Sequence, residues 1–280
     1  MIRMPQVPAC LHALLFTIVS VDNSFAQSLP QPDGYDTLNL AASVAPAPYD
    51  FAILGMKPGM PIEEARSIAE QHLGEQLLPV GGTLQVTNPN GKAFRTELRV
   101  GYETPGVDFF LRNQSAEPYD SIQIDVSTPA TGSIVTAIRR EVRVPASDGP
   151  DAAALRAQLE GLYGPPSEIP TSLPNPSGMW ALDLDYAPIP LPEPYDPSAY
   201  SACNRGLPNA GRYEYRLNDQ LAGDRKCRAI FTARHEANGD TITMWFKLID
   251  YNLVVQDHDA ANAQIDEKLN AAAEPSDMKL

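Results

Sequence analysis

The feature that most constrains this chain is a change of period at Gly74. Ahead of it, in GMKPGMPIEEARSIAEQHLG, the residues Ile62, Ala65, Ile68, Ala69 and Leu73 recur at three- and four-residue spacing, which places them on one face of a helix. Pro61 suits the first helical turn, Glu63 and Glu64 favour its positive end, and Gly74 can take the left-handed stop. After Gly74 the period becomes two. TLQVTN, AFRTELRVGYE, VDFFLR, DSIQIDVS and SIVTAIRREVRV alternate apolar and polar residues and are broken by NPNG, TPG, EPYD and TPATG. Connections this short cannot make the crossover that a parallel pair needs, so the spacing predicts an antiparallel meander with one face buried.

The same order then recurs. DGPDAAALRAQLEGLYGPPSE reads as a second helix, started by Asp148 or Asp151, with Ala154, Leu155, Leu159 and Leu162 on its apolar side and Gly164 as its stop. Strand-like segments follow at GMWALDLDYA, GRYEYRL, KCRAIFTARHE and DTITMWFKLID. The expected fold class is α+β: two helix-plus-antiparallel-meander units packed together, spanning 47–147 and 148–258. FAILG, after Tyr49, reads as a short strand ending at Gly55. A proline-dense excursion over 165–197 favours extended polyproline geometry and reads as a stiff surface connection, with a displayed recognition loop as the alternative. The chain turns helical again from Val254 to Ala272, with Ile265 and Leu269 on one face, and 259–280 holds the end of that helix and a tail.

The first 26 residues have the three parts of a secretory signal peptide: Arg3 in a short charged start, an apolar run from Leu11 to Val21, and the small residues Ser24 and Ala26 around Phe25. Cleavage is expected between Ala26 and Gln27. Residues 27–46 mix proline, glycine and small polar residues and read as a flexible leader. The apolar run falls short of the roughly 20 residues that cross a bilayer, and no later stretch approaches that length, so no transmembrane segment is expected in the mature chain. Export points to the periplasm, with the extracellular medium as the alternative. The net charge of −14, with scattered basic residues, argues against nucleic acid as a partner. Cys10 leaves with the signal peptide. Cys203 and Cys227 remain, an even pair that reads as one disulfide in an oxidising compartment.

Leu54, Gly55, Pro58, Gly59, Met60, Glu63, Glu64, Ala65, Leu73 and Gly74, and again Leu159, Tyr163, Gly164 and Pro165, form a helix-and-turn pattern. This pattern resembles that of a broad exported superfamily that includes the SmpA/OmlA outer-membrane assembly lipoproteins and β-lactamase-inhibitor-protein-like domains. It is also similar to exported proteobacterial proteins of no assigned activity. The resemblance implies a helical element packed on one face of an antiparallel sheet and a role in interaction. Unlike the lipoproteins, the chain has no lipid-acceptor cysteine after the apolar run.

The runs that mark nucleophile elbows, zinc proteases, phosphate loops, dinucleotide folds and EF-hands do not occur in the sequence. Asp183 and Asp185 lie two apart on an expected strand, hence on one face, where they could do acid–base work or form a solvated edge. His72 and His235 read as half-buried or surface histidines. Asp257, His258 and Asp259 are consecutive, and on a helix they point in different directions, so no metal and no cofactor is expected. Tyr213 and Tyr215 share one face of GRYEYRL, and Trp245 lies in the last strand. These aromatics read as filling the helix-facing layer, or else as a binding platform. The favoured function is a non-enzymatic exported protein presenting a sheet or loop surface to a protein or envelope partner. The alternatives are an envelope hydrolase using Asp183 and Asp185, and a small-ligand carrier with its groove between the two units.

Overall fold

The computed structural model describes residues 29–106, 117–167, 178–190, 213 and 227–271. Within them lie helix α1 (Ile62–Leu73), strands β1 (Leu78–Thr87), β2 (Ala93–Glu103), β3 (Tyr119–Val126) and β4 (Val135–Pro145), helix α2 (Ala152–Tyr163), strands β5 (Gly178–Leu182), β6 (Ala229–Asn238) and β7 (Thr241–Asp250), and helix α3 (Tyr251–Asn270). The fold is α+β, as expected, and every strand pair is antiparallel. The strands form one sheet in the order β1-β2-β3-β4-β7-β6-β5. The two runs of strands therefore join edge to edge, through the pairing of β4 with β7 from Ala137↔Ile249 to Pro145↔Thr241.

Alternation sorts the strand residues onto two faces. On the first, Ile122, Ile138, Val142, Phe231, Met244 and Leu248 pack against Ala65 and Ala69 of α1 and Leu155 and Leu159 of α2. Gly74 closes α1 in the left-handed conformation at φ 73°, and Asp151 caps α2 by accepting the Ala154 N–H at 2.7 Å. Ala154 is exposed and Leu162 is 71% exposed, because the buried stripe of α2 continues from Leu159 to Tyr163 instead. Tyr163 meets Phe51, Trp180 and Phe231 in an aromatic cluster with centroids 5.0 to 6.3 Å apart.

Among the described residues the second face is covered only in part. Asp250 ends β7 and starts α3, its carboxylate accepting the Leu253 N–H at 3.1 Å. The chain then folds back, so that Ile265 and Leu269 bury Phe94 and Leu98 of β2. Tyr102, of the same parity, faces α1 because the register shifts between Val80 and Gly81 and leaves Val100 unpaired. A side chain at Gly81 would place its Cβ 2.3 Å from the Leu98 carbonyl oxygen, so only glycine fits this close approach.

Several expectations are corrected. FAILG is not a strand: Leu54 and Gly55 both take positive φ, and the resulting turn leaves only the Ile53↔Met56 bridge. The third helix begins at Tyr251, ahead of the expected Val254. The leader, where described, is a strap. Gln31 exchanges hydrogen bonds with the Glu97 backbone at 3.0 and 3.1 Å, the Asp36 N–H reaches Arg95 O at 2.6 Å, and the Asn39 backbone pairs with the Gln264 amide at 2.7 and 2.8 Å. Leu38 is 3% exposed and packs into the cluster beneath α3. Proline-rich composition hid this because the strap is held by polar side chains on backbone groups. The signal-peptide segment, VDFFLR and most of the proline excursion lie outside the described residues.

Candidate binding groove

The part of the second face that no other described element covers is a groove of about 290 Å³ over the β4–β7 join. Strand register builds it in two rows. Gln123 on β3, Arg139 on β4, Lys247 on β7 and Thr232 on β6 stand side by side in the first. Ser121, Glu141, Trp245 and Arg234 stand side by side in the second. One step further toward α3, the row Asp125, Ala137, Ile249 and Ile230 is wholly buried. The groove thus begins where the face changes from dry to polar.

The first row carries the strongest electrostatics. Arg139 donates through Nη1 to Gln123 Oε1 at 3.2 Å, and Gln123 donates through Nε2 to Asp125 Oδ1 at 3.0 Å. The second oxygen of Asp125 has no hydrogen-bond partner, and Arg139 Nη2 stands off at 3.7 Å. That separation satisfies an ion-pair criterion without satisfying a hydrogen bond. Burial wins over this distant cation, and the Asp125 carboxyl is pushed up to about 6. Lys247 is affected in the opposite sense: burial, then the neighbouring Arg139, lowers its ammonium to about 8, with Asp125 only partly offsetting them. Among the described residues no carboxylate lies within ion-pair distance of Lys247 Nζ.

In the second row the Arg234 guanidinium lies 4.8 Å from the Trp245 ring centroid and is itself bound to Glu236 at 2.7 Å. Trp245 reads from the sequence as filling the helix-facing layer or else as a binding platform; its odd position in β7 puts it on the face away from α1 and α2, lining the groove. Tyr119 donates its hydroxyl to Glu141 from the row beyond.

The residues singled out from sequence lie elsewhere. β5 stops at Leu182, so Asp183 and Asp185 do not share a strand face. Asp183 Oδ1 accepts the N–H groups of Asp185 and Ala187, each at 2.9 Å, and thereby closes a turn. That turn delivers Tyr186, at φ 61°, to Asp250 Oδ2 at 3.3 Å, where the Tyr49 hydroxyl also donates at 3.0 Å. Tyr213 packs on α3, its ring 4.7 Å from that of His258 and its hydroxyl 2.6 Å from Asn262. Tyr215 and Cys203 lie outside the described residues, and Cys227 is buried ahead of β6.

The histidines and the acidic run of α3 have structural partners. His72 contacts Asp120 at 2.8 Å, and Arg140 holds the same carboxylate through Nε at 3.0 Å. Burial would raise Asp120, but these contacts outweigh it and hold its carboxyl below the usual range. His235, expected at or near the surface, is 3% exposed, with Nε2 3.0 Å from the Pro150 carbonyl. Asp257 is buried beneath the 3-10 turn Pro129–Thr131 and accepts from Thr128 N, Thr128 Oγ1 and Thr131 Oγ1 at 2.7 to 2.9 Å. His258 turns to Tyr213 and Asp259 is exposed. Among the described residues no group of three or more His, Cys, Asp or Glu could hold a metal ion.

Sequence alternation in DSIQIDVS, TAIRREVRV and ITMWFKLID does mark Gln123, Arg139, Glu141, Trp245 and Lys247 as sharing non-helix faces of their strands. What it lacks is the neighbour relation of β4 and β7 that makes them one surface. No family model, curated protein or solved structure matches the chain.

Proposed function

We propose that this chain is an exported, non-enzymatic binding protein whose recognition element is the groove on the uncovered half of the second sheet face. The observation that carries this reading is the pairing of two adjacent cations, Arg139 and Lys247, beside Trp245 on an open face of a protein with net charge −14. A solvated strand face needs only polarity; it does not need a half-buried ammonium that no carboxylate among the described residues approaches to ion-pair distance, which costs stability unless something binds there. The binding reading is favoured over the hydrolase one by the turn at Asp183, whose Oδ1 is engaged by two backbone N–H groups, and by the exposure of Asp185. The groove lies over the seam between the two helix-plus-meander runs, where the carrier reading also sets its ligand.

The compartment belongs to the same proposal. The mature chain begins at Gln27 after cleavage behind Ala26, resides in the periplasm and carries one Cys203–Cys227 disulfide. The chain is built of two units, each a helix leading into a meander, of the kind the resembled superfamily has. N-terminal sequencing of periplasmic material tests the first part, with Met1 as the result that overturns it. Ligand-observed NMR with a fragment panel of anions, cations and neutral aromatics tests the groove. Binding that disappears in Trp245→Ala and Arg139→Gln supports it, and a panel without a single hit removable by these changes refutes it.

A further inference from the structure

We infer that the groove takes a small carboxylic acid carried on a flat apolar scaffold, an aryl or arylalkyl monocarboxylate, with the carboxylate between Arg139 and Lys247 and the scaffold along Trp245. The inference rests on the binding reading above and names the ligand class for it.

The charge comes first. Residues directly opposite on antiparallel strands have Cβ atoms about 4.5 to 5.5 Å apart, and like charges placed so repel. Arg139 and Lys247 are such a pair. Their mutual repulsion is relieved by an anion that accepts from both, and a guanidinium fork suits a planar carboxylate. Asp125 does not fill that role: it lies in the buried row behind, 3.7 Å from the guanidinium and turned to Gln123.

The number of charges comes next. Around Lys247 stand Glu103 on β2, Asp125 on β3, Arg139 and Glu141 on β4 and Arg234 on β6. Arg234 is held by Glu236 and the Trp245 ring. The two cations Arg139 and Lys247, offset at neutral pH by the single charge of Asp125, leave one positive charge between them, which accommodates one negative charge; a phosphate dianion would exceed it beside Glu103 and Glu141. Trp245, one row along on β7, supplies the flat wall. The volume of about 290 Å³ is near the lower bound for ligand pockets, which limits the scaffold to one or two rings.

Protonation follows. Lys247 must be an ammonium to hold the anion, and its amine is held near 8 by burial and by Arg139. Binding therefore draws a proton onto Lys247 above that pH, and affinity falls as pH rises through it.

The test is isothermal titration of the full mature chain with 3-phenylpropionate, indole-3-acetate, 3-phenylpropionamide, phenethylamine, phenyl phosphate and acetate. An aryl carboxylate should bind at least tenfold more tightly than the amide, the amine and acetate, and no less tightly than phenyl phosphate. Lys247→Met and Arg139→Gln should each weaken it at least tenfold with circular dichroism unchanged, and Trp245→Phe should retain it. Titration at pH 8.5 in two buffers of different ionisation enthalpy should show proton uptake. Equal binding of acid and amide, or tenfold tighter binding of phenyl phosphate, overturns the inference. If amide or amine binds and is lost in Trp245→Ala, the carboxylate class falls while the groove stands. If no probe of any charge binds, both fall.

Discussion

Arg139 and Lys247 face each other across the β4–β7 pair, two cations in one row at the seam of the sheet. The arrangement sets a stability cost against a binding capacity. The Lys247 ammonium is lowered to about 8 from an ordinary 10.5. A folded value below the unfolded one means that the folded state binds the proton less well. The stability this group offers is complete above about 10.5 and is lost as pH falls through 8, so at neutral pH the charged side chain is a burden.

Lys247→Met should therefore stabilise the unliganded protein at pH 7, by about 1 to 3 kcal/mol on the scale of 1.4 kcal/mol per pKa unit. The gain should shrink as pH rises to 10.5, where the wild-type amine is neutral in the folded state and half-deprotonated in the unfolded one. Urea unfolding at the two pH values checks this. A Met variant no more stable than wild type at pH 7 would show that the ammonium is well solvated where it is.

His258 gives the same dependence in a lower window. Burial depresses its imidazole to about 4, Asp259 opposing only weakly, and its Nδ1 has no hydrogen-bond partner. The neutral ring stabilises the fold fully above about 6.5, and that contribution is lost as pH falls from 6.5 to 4. Asp125, raised to about 6, works the other way and favours the fold as pH falls through the same range. The single effect is read by difference: the wild-type advantage over His258→Gln at pH 7 should drop by about 2 to 3 kcal/mol at pH 4.5. A pH-independent difference would mean that the ring is protonated in place.

The local chemistry of the helices was legible in the sequence because it depends on neighbours within a turn: the Ile62–Ala65–Ala69 stripe, the Gly74 stop and the Asp151 cap all stand as read. The groove was not, because alternation tells which residues of one strand share a side and is silent on which strand lies next to it. Arg139 and Lys247 become neighbours only through the β4–β7 pairing, across all of α2, β5 and β6. Asp183 and Asp185 leave the expected strand face for a local reason: an aspartate at a strand end captures backbone N–H groups and turns the chain, and a periodicity count does not include that competition.

The strap over 29–42 should be part of the cooperative fold. Leu38 is buried against the Phe94, Leu98 and Ile265 cluster, and Gln31 bonds the Glu97 backbone in both directions. Leu38→Ala should cost about 2 to 4 kcal/mol, the range for truncating a buried leucine into an unfilled cavity. Gln31→Ala should cost about 1 to 2 kcal/mol by removing the partners of the Glu97 N–H and carbonyl. Thermal unfolding of both variants checks this, and changes within 0.5 kcal/mol, the size typical of surface sites, would restore the picture of a flexible leader.

The Cys203–Cys227 bond, if formed as proposed, ties the connection between β5 and β6 to the edge of the sheet that bears the groove. Cys227 is 2% exposed, and one residue later the Arg228 N–H bonds Leu182 O at 2.8 Å. Ala229 then pairs with both Leu182 and Asp250, so this point is held from two sides before β6 runs on to Thr232 and Arg234. A cross-link here removes loop entropy from the unfolded chain, worth about 3 to 4 kcal/mol for a loop of this order. Cys203→Ser should cost some 2 to 5 kcal/mol in unfolding free energy. It should spare β1 to β3, which pair among themselves and with β4. Hydrogen exchange should show the loss of protection concentrated in β5 and β6. Thiol labelling of the unreduced, denatured mature protein decides the premise: no reactive cysteine is expected, and two per chain would show that the bond does not exist.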